Sequence, residues 1–317
     1  MLEIVTFGEA MIRLSAPAGQ ALEAAAQFDV HVAGTEANVA VALARLGFRA
    51  GWVSKLVDDP LGRRVAGELR RHGVDVSAIV WTAKGRTGLY FVEHAPAPRG
   101  VTVHYDRIGS AVTTMTADEI DWAYVTGAKW IHVTGITAAL GASCVDTAAR
   151  FIRVARSTGA RVSFDVNHRR KLWTAEQARA VLDPLIHRVD LLFSTEEDAR
   201  EVFGLAGEPA ALAAQLREHA RAAAAVVTAG PHGAWLVDTN GATHEPAILG
   251  PEVDPIGRGD AFAAGVLWGA LDGDLRAGLR YGVALAALSQ TYWGDVPWST
   301  KADVLALLAG RGPKPVR

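Results

Sequence analysis

The residues best suited to chemistry form one short run, Asp254-Pro255-Ile256-Gly257-Arg258-Gly259-Asp260, followed by the alanine-rich stretch 261–265. Two glycines around one residue permit a tight backbone turn, and a helix that starts there presents N–H groups with no partner inside the helix. Such a turn is an anion site suited to a phosphate in transfer. An aspartate in the same turn can take the proton of an attacking alcohol. Taken alone, the run is equally an aspartate capping a helix after a glycine turn. Several other chemistries are excluded. No G-x-G-x-x-G follows the first predicted strand, no G-x-x-x-x-G-K-[ST] occurs, and there is no H-E-x-x-H or paired C-x-x-C. Nicotinamide-type dinucleotide binding, P-loop chemistry and a protein-ligated zinc therefore lack their fingerprints. The single cysteine, Cys144, cannot close a disulfide within the chain and reads as a small core residue.

Positioning such a turn requires a frame, and the sequence supplies alternating elements. Short apolar runs predict strands at 4–7, 51–56, 130–133, 161–164, 190–193 and 225–228. Helical spacing predicts helices over 38–46, 61–72, 143–158, 175–187, 196–203 and 210–221. This alternation argues for an α/β fold with a mostly parallel sheet covered on both faces. One region differs: 88–93 and 101–105 are strand-like runs joined by a Pro- and Gly-containing loop with no helix between them. They predict an antiparallel ribbon, either a lid over a site or a contact between two copies.

With 317 residues, 50% hydrophobic and 21% charged, the chain can bury a large core and is not a disordered composition. Lys+Arg 32 against Asp+Glu 34 gives a net charge of -2, so no basic excess exists to neutralise nucleic-acid phosphates. The N-terminus has no basic leader or apolar run, and the alanine-rich stretch 222–229 is far short of the roughly 20 residues that span a bilayer. The expectation is a cytoplasmic protein with no membrane or nucleic-acid partner, and a frayed tail over 312–317.

The run ending at Asp260 resembles the C-terminal signature of the ribokinase-like (PfkB) carbohydrate kinases, D-T-x-G-A-G-D, with Arg258 where alanine is usual. A second segment, Ala33-Gly34-Thr35-Glu36-Ala37-Asn38-Val39-Ala40 through Leu46-Gly47, resembles the family's N-terminal G-G-x-x-x-N-x-A…L-G pattern. The two lie in the family's order and span nearly the whole chain. The resemblance implies one domain over 1–317, a three-layer sandwich with a mostly parallel central sheet, and a small β lid drawn from 9–15, 30–33 and 87–107. It implies Asp260 as catalytic base and Gly257, Arg258 and Gly259 as the anion hole. It places ATP with Mg²⁺ against Thr195, Thr228, Gly230, Gly233, Gly257 and Gly259, with the helix around 284–290 beside the base; a monovalent cation is a further candidate. The family's N-x-x-E is here Thr195-Glu196-Glu197-Asp198. Asp198 is then the residue for a Mg²⁺-bound water, at shorter reach than a glutamate.

The substrate follows from charge. A sugar acid needs a cation for its carboxylate, and ligands of parallel sheets sit at the carboxyl ends of strands. Arg169, in Asp165-Val166-Asn167-His168-Arg169, and Ile136, in Thr134-Gly135-Ile136-Thr137, follow predicted strands. With Tyr105-Asp106-Arg107 and the early Gly8-Glu9, these segments resemble 2-keto-3-deoxygluconate kinases. That resemblance implies Gly34, Asn38, Tyr90, Tyr105, Arg107, Ile136, Arg169 and Asp260 as the sugar-binding set, and a homodimer or higher homo-oligomer paired through the lids. A fructokinase- or ribokinase-type kinase of neutral sugars is the alternative, since fructokinases share the D-x-N-x-R-x-x-L-W region. A non-catalytic sugar sensor, suggested by Thr195, Asp198 and Arg258, is a third reading that Asp260 opposes.

Overall fold

The protein was analysed as a computed structural model describing residues 1–310; the predicted frayed tail at 312–317 lies outside the described residues. Its frame is an eight-stranded sheet. In spatial order the strands are Gly241–Glu245, Ala234–Asp238, Ala224–Thr228, Leu191–Thr195, Arg161–Asp165, Trp130–Thr134, Ile4–Phe7 and Ala50–Val53. The six from Ala224–Thr228 to Ala50–Val53 are parallel, and the two at the other edge form an antiparallel hairpin added to them.

Why these strands read as unbroken apolar runs is visible in the packing. Ile4, Trp130, Leu191, Phe193 and Val226 face one core. The residues between them, Val5, Phe7, Ile131, Val133, Leu192 and Val227, face a second core on the opposite side. Side chains alternate across a strand, so covering both faces favours hydrophobic residues on both, with the buried polar exceptions Thr6, His132, Thr134, Ser163 and Ser194. Helices Thr35–Arg45, Pro60–Arg71, Arg258–Asp272, Leu275–Ser289 and Lys301–Leu308 cover the first face. Helices Trp122–Thr126, Ala142–Thr158, Ala175–Ile186, Glu196–Phe203 and Pro209–Ala220 cover the second. The α/β three-layer architecture expected from the alternation is thus present.

A four-stranded sheet stands apart, in the order Asp29–Ala33, Met11–Ser15, Leu89–His94 and Val101–Asp106. The predicted ribbon forms its outer half, antiparallel and with Tyr90 opposite Tyr105. One predicted strand was too simple. The run 51–56 divides at Ser54 into Ala50–Val53, which joins the central sheet, and Lys55–Val57, which pairs instead with Val80–Thr82. Hydrophobic pattern alone does not mark the point where a chain changes partners. The predicted helix at 38–46 starts three residues earlier, at Thr35, which puts Asn38 in its first turns.

Two helices touch backbone to backbone. A Cβ at Gly265 would lie 2.5 Å from Gly282 Cα, and one at Gly269 would lie 2.2 Å from Gly278 Cα. Helices Arg258–Asp272 and Leu275–Ser289 are therefore packed closer than side chains would allow, through paired glycines.

Candidate active site

A single cavity of about 740 Å³ runs along the carboxyl ends of the parallel strands and continues to the four-stranded sheet. Every site residue expected from the sequence lines it: Gly34, Asn38, Tyr90, Tyr105, Arg107, Ile136, Arg169, Thr195, Asp198, Thr228, Gly230, Gly233, Gly257, Arg258, Gly259 and Asp260.

At its centre is the Gly257 turn. Gly257 is left-handed (φ +83°), and a Cβ there would sit 2.2 Å from the Asp295 carbonyl oxygen, so the turn needs glycine for conformation and for space. The helix Arg258–Asp272 starts immediately after. Its first-turn N–H groups and its positive dipole end face the same point as the Asp260 side chain. Asn38 Nδ2 donates to Asp260 Oδ2 at 2.7 Å, and Gly34 N donates to Asn38 Oδ1 at 3.3 Å. Both family-like segments, 222 residues apart at Asn38 and Asp260, therefore meet in one hydrogen bond. Burial pushes the Asp260 carboxyl well above the usual carboxylate range; the Asn38 amide opposes this, and the Asp165 carboxylate adds to it. Burial, with Asp198 nearby, likewise pushes Asp165 up to about 7.

Toward the four-stranded sheet the walls are buried and bonded to one another. Tyr90 is buried, stacks on Tyr105 with ring centroids 5.6 Å apart, and donates its hydroxyl to Asp295 Oδ2 at 2.8 Å. Arg107 is buried and ion-paired with Glu9. Arg107 and Arg169 were both expected in the sugar-binding set, with at least one of them on the carboxylate. Arg107 lines the cavity with its charge already paired by Glu9, whereas Arg169 has no carboxylate partner among the described residues. Among the described residues, Arg107 Nε and Glu9 Oε1 are buried without a hydrogen-bond partner, leaving one donor and one acceptor beside the cavity. Arg169 is exposed and has only a 3.4 Å contact to the His168 carbonyl. Asn167 before it takes a positive φ of 39°, with its N–H on Asp165 Oδ1 at 3.0 Å, and this turns the chain so that Arg169 borders the cavity. Ile136 lies in a one-turn helix, Gly135–Ala138, directly after its strand.

The other end is more open. Thr195 was expected to meet nucleotide; it lines the cavity, but its hydroxyl caps helix Glu196–Phe203 by accepting from Asp198 N at 2.9 Å. Asp198 is buried and accepts from His168 N at 3.3 Å. Thr228 ends a strand, and Gly230 and Gly233 form the tight turn after it. Arg258 turns outward to Glu252 at 3.3 Å and Gln290 at 3.4 Å, so its amide, and not its guanidinium, belongs to the turn. Val283, Ala286 and Ala287 of helix Leu275–Ser289, with Gln290 just past its end, complete this wall.

Several residues escaped the sequence reading. Glu36 is buried and receives the hydroxyls of Thr134 and Thr137 at 2.7 and 2.6 Å; burial raises its pKa while those donors oppose the rise. It tethers helix Thr35–Arg45 to the segment carrying Ile136. Arg13 is fully buried, with Nη2 on Asp254 Oδ2 at 2.5 Å, Nη1 on Asp295 Oδ1 at 2.6 Å, Nη2 against His94 Nε2 at 2.7 Å and Nε on Ser15 Oγ at 2.8 Å. An arginine between Ile12 and Leu14 in an otherwise apolar strand was the available signal. Carboxylates outnumber arginines around the cavity, so an anionic ligand entering it requires added positive charge.

Comparison with known proteins agrees with this geometry. The family model described as pfkB family carbohydrate kinase matches residues 1–301. A 2-dehydro-3-deoxygalactonokinase of Haloferax volcanii is 41% identical over 309 residues, covering 97% of each chain. The crystal structure of a 2-dehydro-3-deoxygluconokinase from Thermotoga maritima superposes with a TM-score of 0.92 at 31% identity, over 98% of this chain and 100% of that one. A sugar kinase of Pyrococcus horikoshii in complex with ATP superposes with a TM-score of 0.79 at 28% identity, over 92% of this chain and 93% of that one.

Proposed function

This chain belongs to the pfkB family of carbohydrate kinases, and we propose that within it the protein phosphorylates the primary hydroxyl of 2-keto-3-deoxygluconate or its galacto epimer, with ATP as donor. The observation that carries this is the Asp260 carboxylate held by Asn38 at the first turn of a helix, inside a cavity whose far end presents Arg169 and the Arg107–Glu9 pair. Asp260 takes the hydroxyl proton as the sugar oxygen attacks the γ-phosphorus. The bond from that phosphorus to the β,γ-bridging oxygen breaks, and ADP leaves. First-turn amides of helix Arg258–Asp272 stabilise the charge on the transferring group. A raised Asp260 pKa strengthens it as a base at the cost of needing higher pH to be ionised.

Arg169 holds the sugar carboxylate in this reading, because Arg107 is already paired. Arg107 and Glu9 line the sugar side as an ion pair. Tyr90, Tyr105, Gly34 and Ile136 shape the pocket around the ring or open chain. Thr228, Gly230 and Gly233 border the nucleotide. Among the described residues no cluster of three or more metal-ligating side chains exists. The buried Asp198 carboxylate still fits Mg²⁺, which keeps several waters and takes one or two protein carboxylates beside substrate phosphates. Mg²⁺ held there would supply positive charge beside the cavity's carboxylates. A monovalent cation near the Gly257 turn stays a further candidate, since Arg13 brings one positive charge against the two carboxylates of Asp254 and Asp295; faster turnover in potassium than in tetramethylammonium buffer checks this.

We further take residues 1–317 as one domain in which the four-stranded sheet acts as the lid. Val101–Asp106 is an edge strand with most residues exposed, including Val101 and Tyr105. Such an edge is best covered by a second copy, giving a homodimer; a monomer in sedimentation at micromolar concentration would refute that. No helix of the described residues is long and apolar enough to cross a membrane. The substrate test is ADP release with 2-keto-3-deoxygluconate, 2-keto-3-deoxygalactonate, fructose and ribose. A higher kcat/KM for either keto-deoxy acid is expected. Preference for fructose or ribose would overturn the sugar-acid reading and leave the kinase assignment intact.

A further inference from the structure

Arg13 is absent from the lining of the cavity, and no step of the proposed reaction uses its side chain. Burying a guanidinium is costly unless it is paired and hydrogen-bonded. Here it holds two carboxylates that belong to two different loops, Asp254 and Asp295. Asp254 starts the catalytic turn. Its Oδ1 accepts from Ile256 N, and its Oδ2 accepts from Gly294 N, both at 3.1 Å. Asp295 supports the turn from beneath, since its carbonyl oxygen lies 2.2 Å from where a Cβ on Gly257 would be. Arg13 itself is a residue of the four-stranded sheet, and there its register partner is Tyr90, whose hydroxyl reaches the same Asp295. One guanidinium therefore grips the start and the underside of the Gly257 turn and ties both to the strand pair that walls the sugar end. Without that charge, two buried carboxylates would face each other beneath the turn, and their repulsion would displace it.

We propose that Arg13 is a positioning residue for the phosphate-binding turn: its guanidinium fixes residues 254–257 through Asp254 and Asp295 and couples that turn to the sugar-side sheet. The inference rests on the kinase reading of the Asp260 turn. A displacement of about 1 Å in a positioning element can cost about 10²-fold in rate. Arg13→Lys keeps the charge but cannot hold both carboxylates in one planar fork. Asp254→Asn keeps the Arg13–Asp295 pair and the size of the side chain, and it weakens only the hold on the turn.

The experiment measures kcat and the sugar KM for wild type, Arg13→Lys and Asp254→Asn, with folding checked by circular dichroism and thermal melting. Both variants are expected to lose about 10²-fold in kcat while the sugar KM stays within about threefold. A folded variant whose kcat stays within about threefold of wild type overturns the proposal. A loss confined to KM does the same. Should the lysine variant fail to fold, Asp254→Asn decides alone. Wild-type turnover of the keto-deoxy acid separates the two readings. Its absence strikes the kinase assignment, whereas an active wild type beside an unimpaired Asp254→Asn strikes only the role of Arg13.

Discussion

The two ends of the cavity are built on different principles. At the sugar end, buried side chains from both sheets hold one another: Tyr90 with Asp295, Arg107 with Glu9, Asn38 with Asp260, Glu36 with Thr134 and Thr137. At the end proposed for the nucleotide, backbone turns at Gly230, Gly233 and Gly257 do most of the shaping, and side chains such as Arg258 and Leu249 are exposed at its edge. A set of mutually fixed side chains is preorganised for one ligand shape, whereas a turn of N–H groups binds any phosphate of suitable geometry. On the proposed reading, selectivity for the acceptor is stored in side chains, and affinity for the donor in the main chain. Substitutions should sort by that divide.

The largest effect should come where the two ends meet. Asp260→Asn preserves size and the Asn38 contact but cannot accept a proton, so kcat should fall by about 10²–10⁴-fold, with sugar binding little changed. Turnover within a few-fold of wild type would reduce Asp260 to a helix cap. Next comes Arg169→Ala, expected to lower kcat/KM for the sugar acid by about 10–100-fold, in keeping with a charge-assisted hydrogen bond of about 1.5–3 kcal/mol. The same substitution should matter much less for the analogue with its carboxylate reduced to an alcohol, and equal losses on both would show that Arg169 does not bind the acid. Arg107→Ala should also lower kcat/KM for the acid by about 10–100-fold, but it should hurt both analogues alike, because it leaves Glu9 buried without its partner.

A subtler effect concerns pH. The Asp260 carboxyl is raised by burial and by Asp165. Its basic form is therefore lost as pH falls through a value above the ordinary carboxylate range, and kcat should drop on that acid limb. Asp165→Asn removes a like charge, so the limb should move to lower pH; a limb that stays put, or moves up, would break the link between the two. The smallest effect belongs to the open end. Arg258→Ala should change kcat and the ATP KM by less than about threefold, since its guanidinium is directed to Glu252 and Gln290 at the rim. A tenfold rise in the ATP KM would place it on phosphate after all.

The same divide explains what could be read from the chain before folding. The Gly257–Asp260 turn, the parallel sheet and the ribbon were legible because glycine placement, hydrophobic period and turn residues are local signals. Asn38 and Asp260 were each legible, but the bond between them spans 222 residues. The Arg107–Glu9 pair was not legible: a surface arginine and a neutralised one look the same in sequence, and only the approach of residue 9 across 98 positions decides. Arg13 was missed for the same reason, its carboxylates lying 241 and 282 residues away. Thr195 was read for its departure from the usual asparagine, yet its observed bond is a helix cap three residues long, a local role that the family comparison obscured. The split at Ser54 was hidden because both halves are equally buried.

The glycine-paired contact between helices Arg258–Asp272 and Leu275–Ser289 carries a consequence for genetics. Gly269 and Gly278 sit far along these helices from Asp260, yet a methyl at Gly269 would need to occupy space 2.2 Å from Gly278 Cα. Prying the helices apart would tilt one that begins at the Gly257 turn and one that walls the cavity. A random library selected for loss of growth on the sugar acid should thus recover alanine and serine at Gly265, Gly269, Gly278 and Gly282, alleles that touch no ligand. Revertants by trimming a neighbour should arise for Gly282 alone, where a Cβ meets the Val266 and Phe262 side chains of the facing helix; at Gly265, Gly269 and Gly278 the obstacle is backbone.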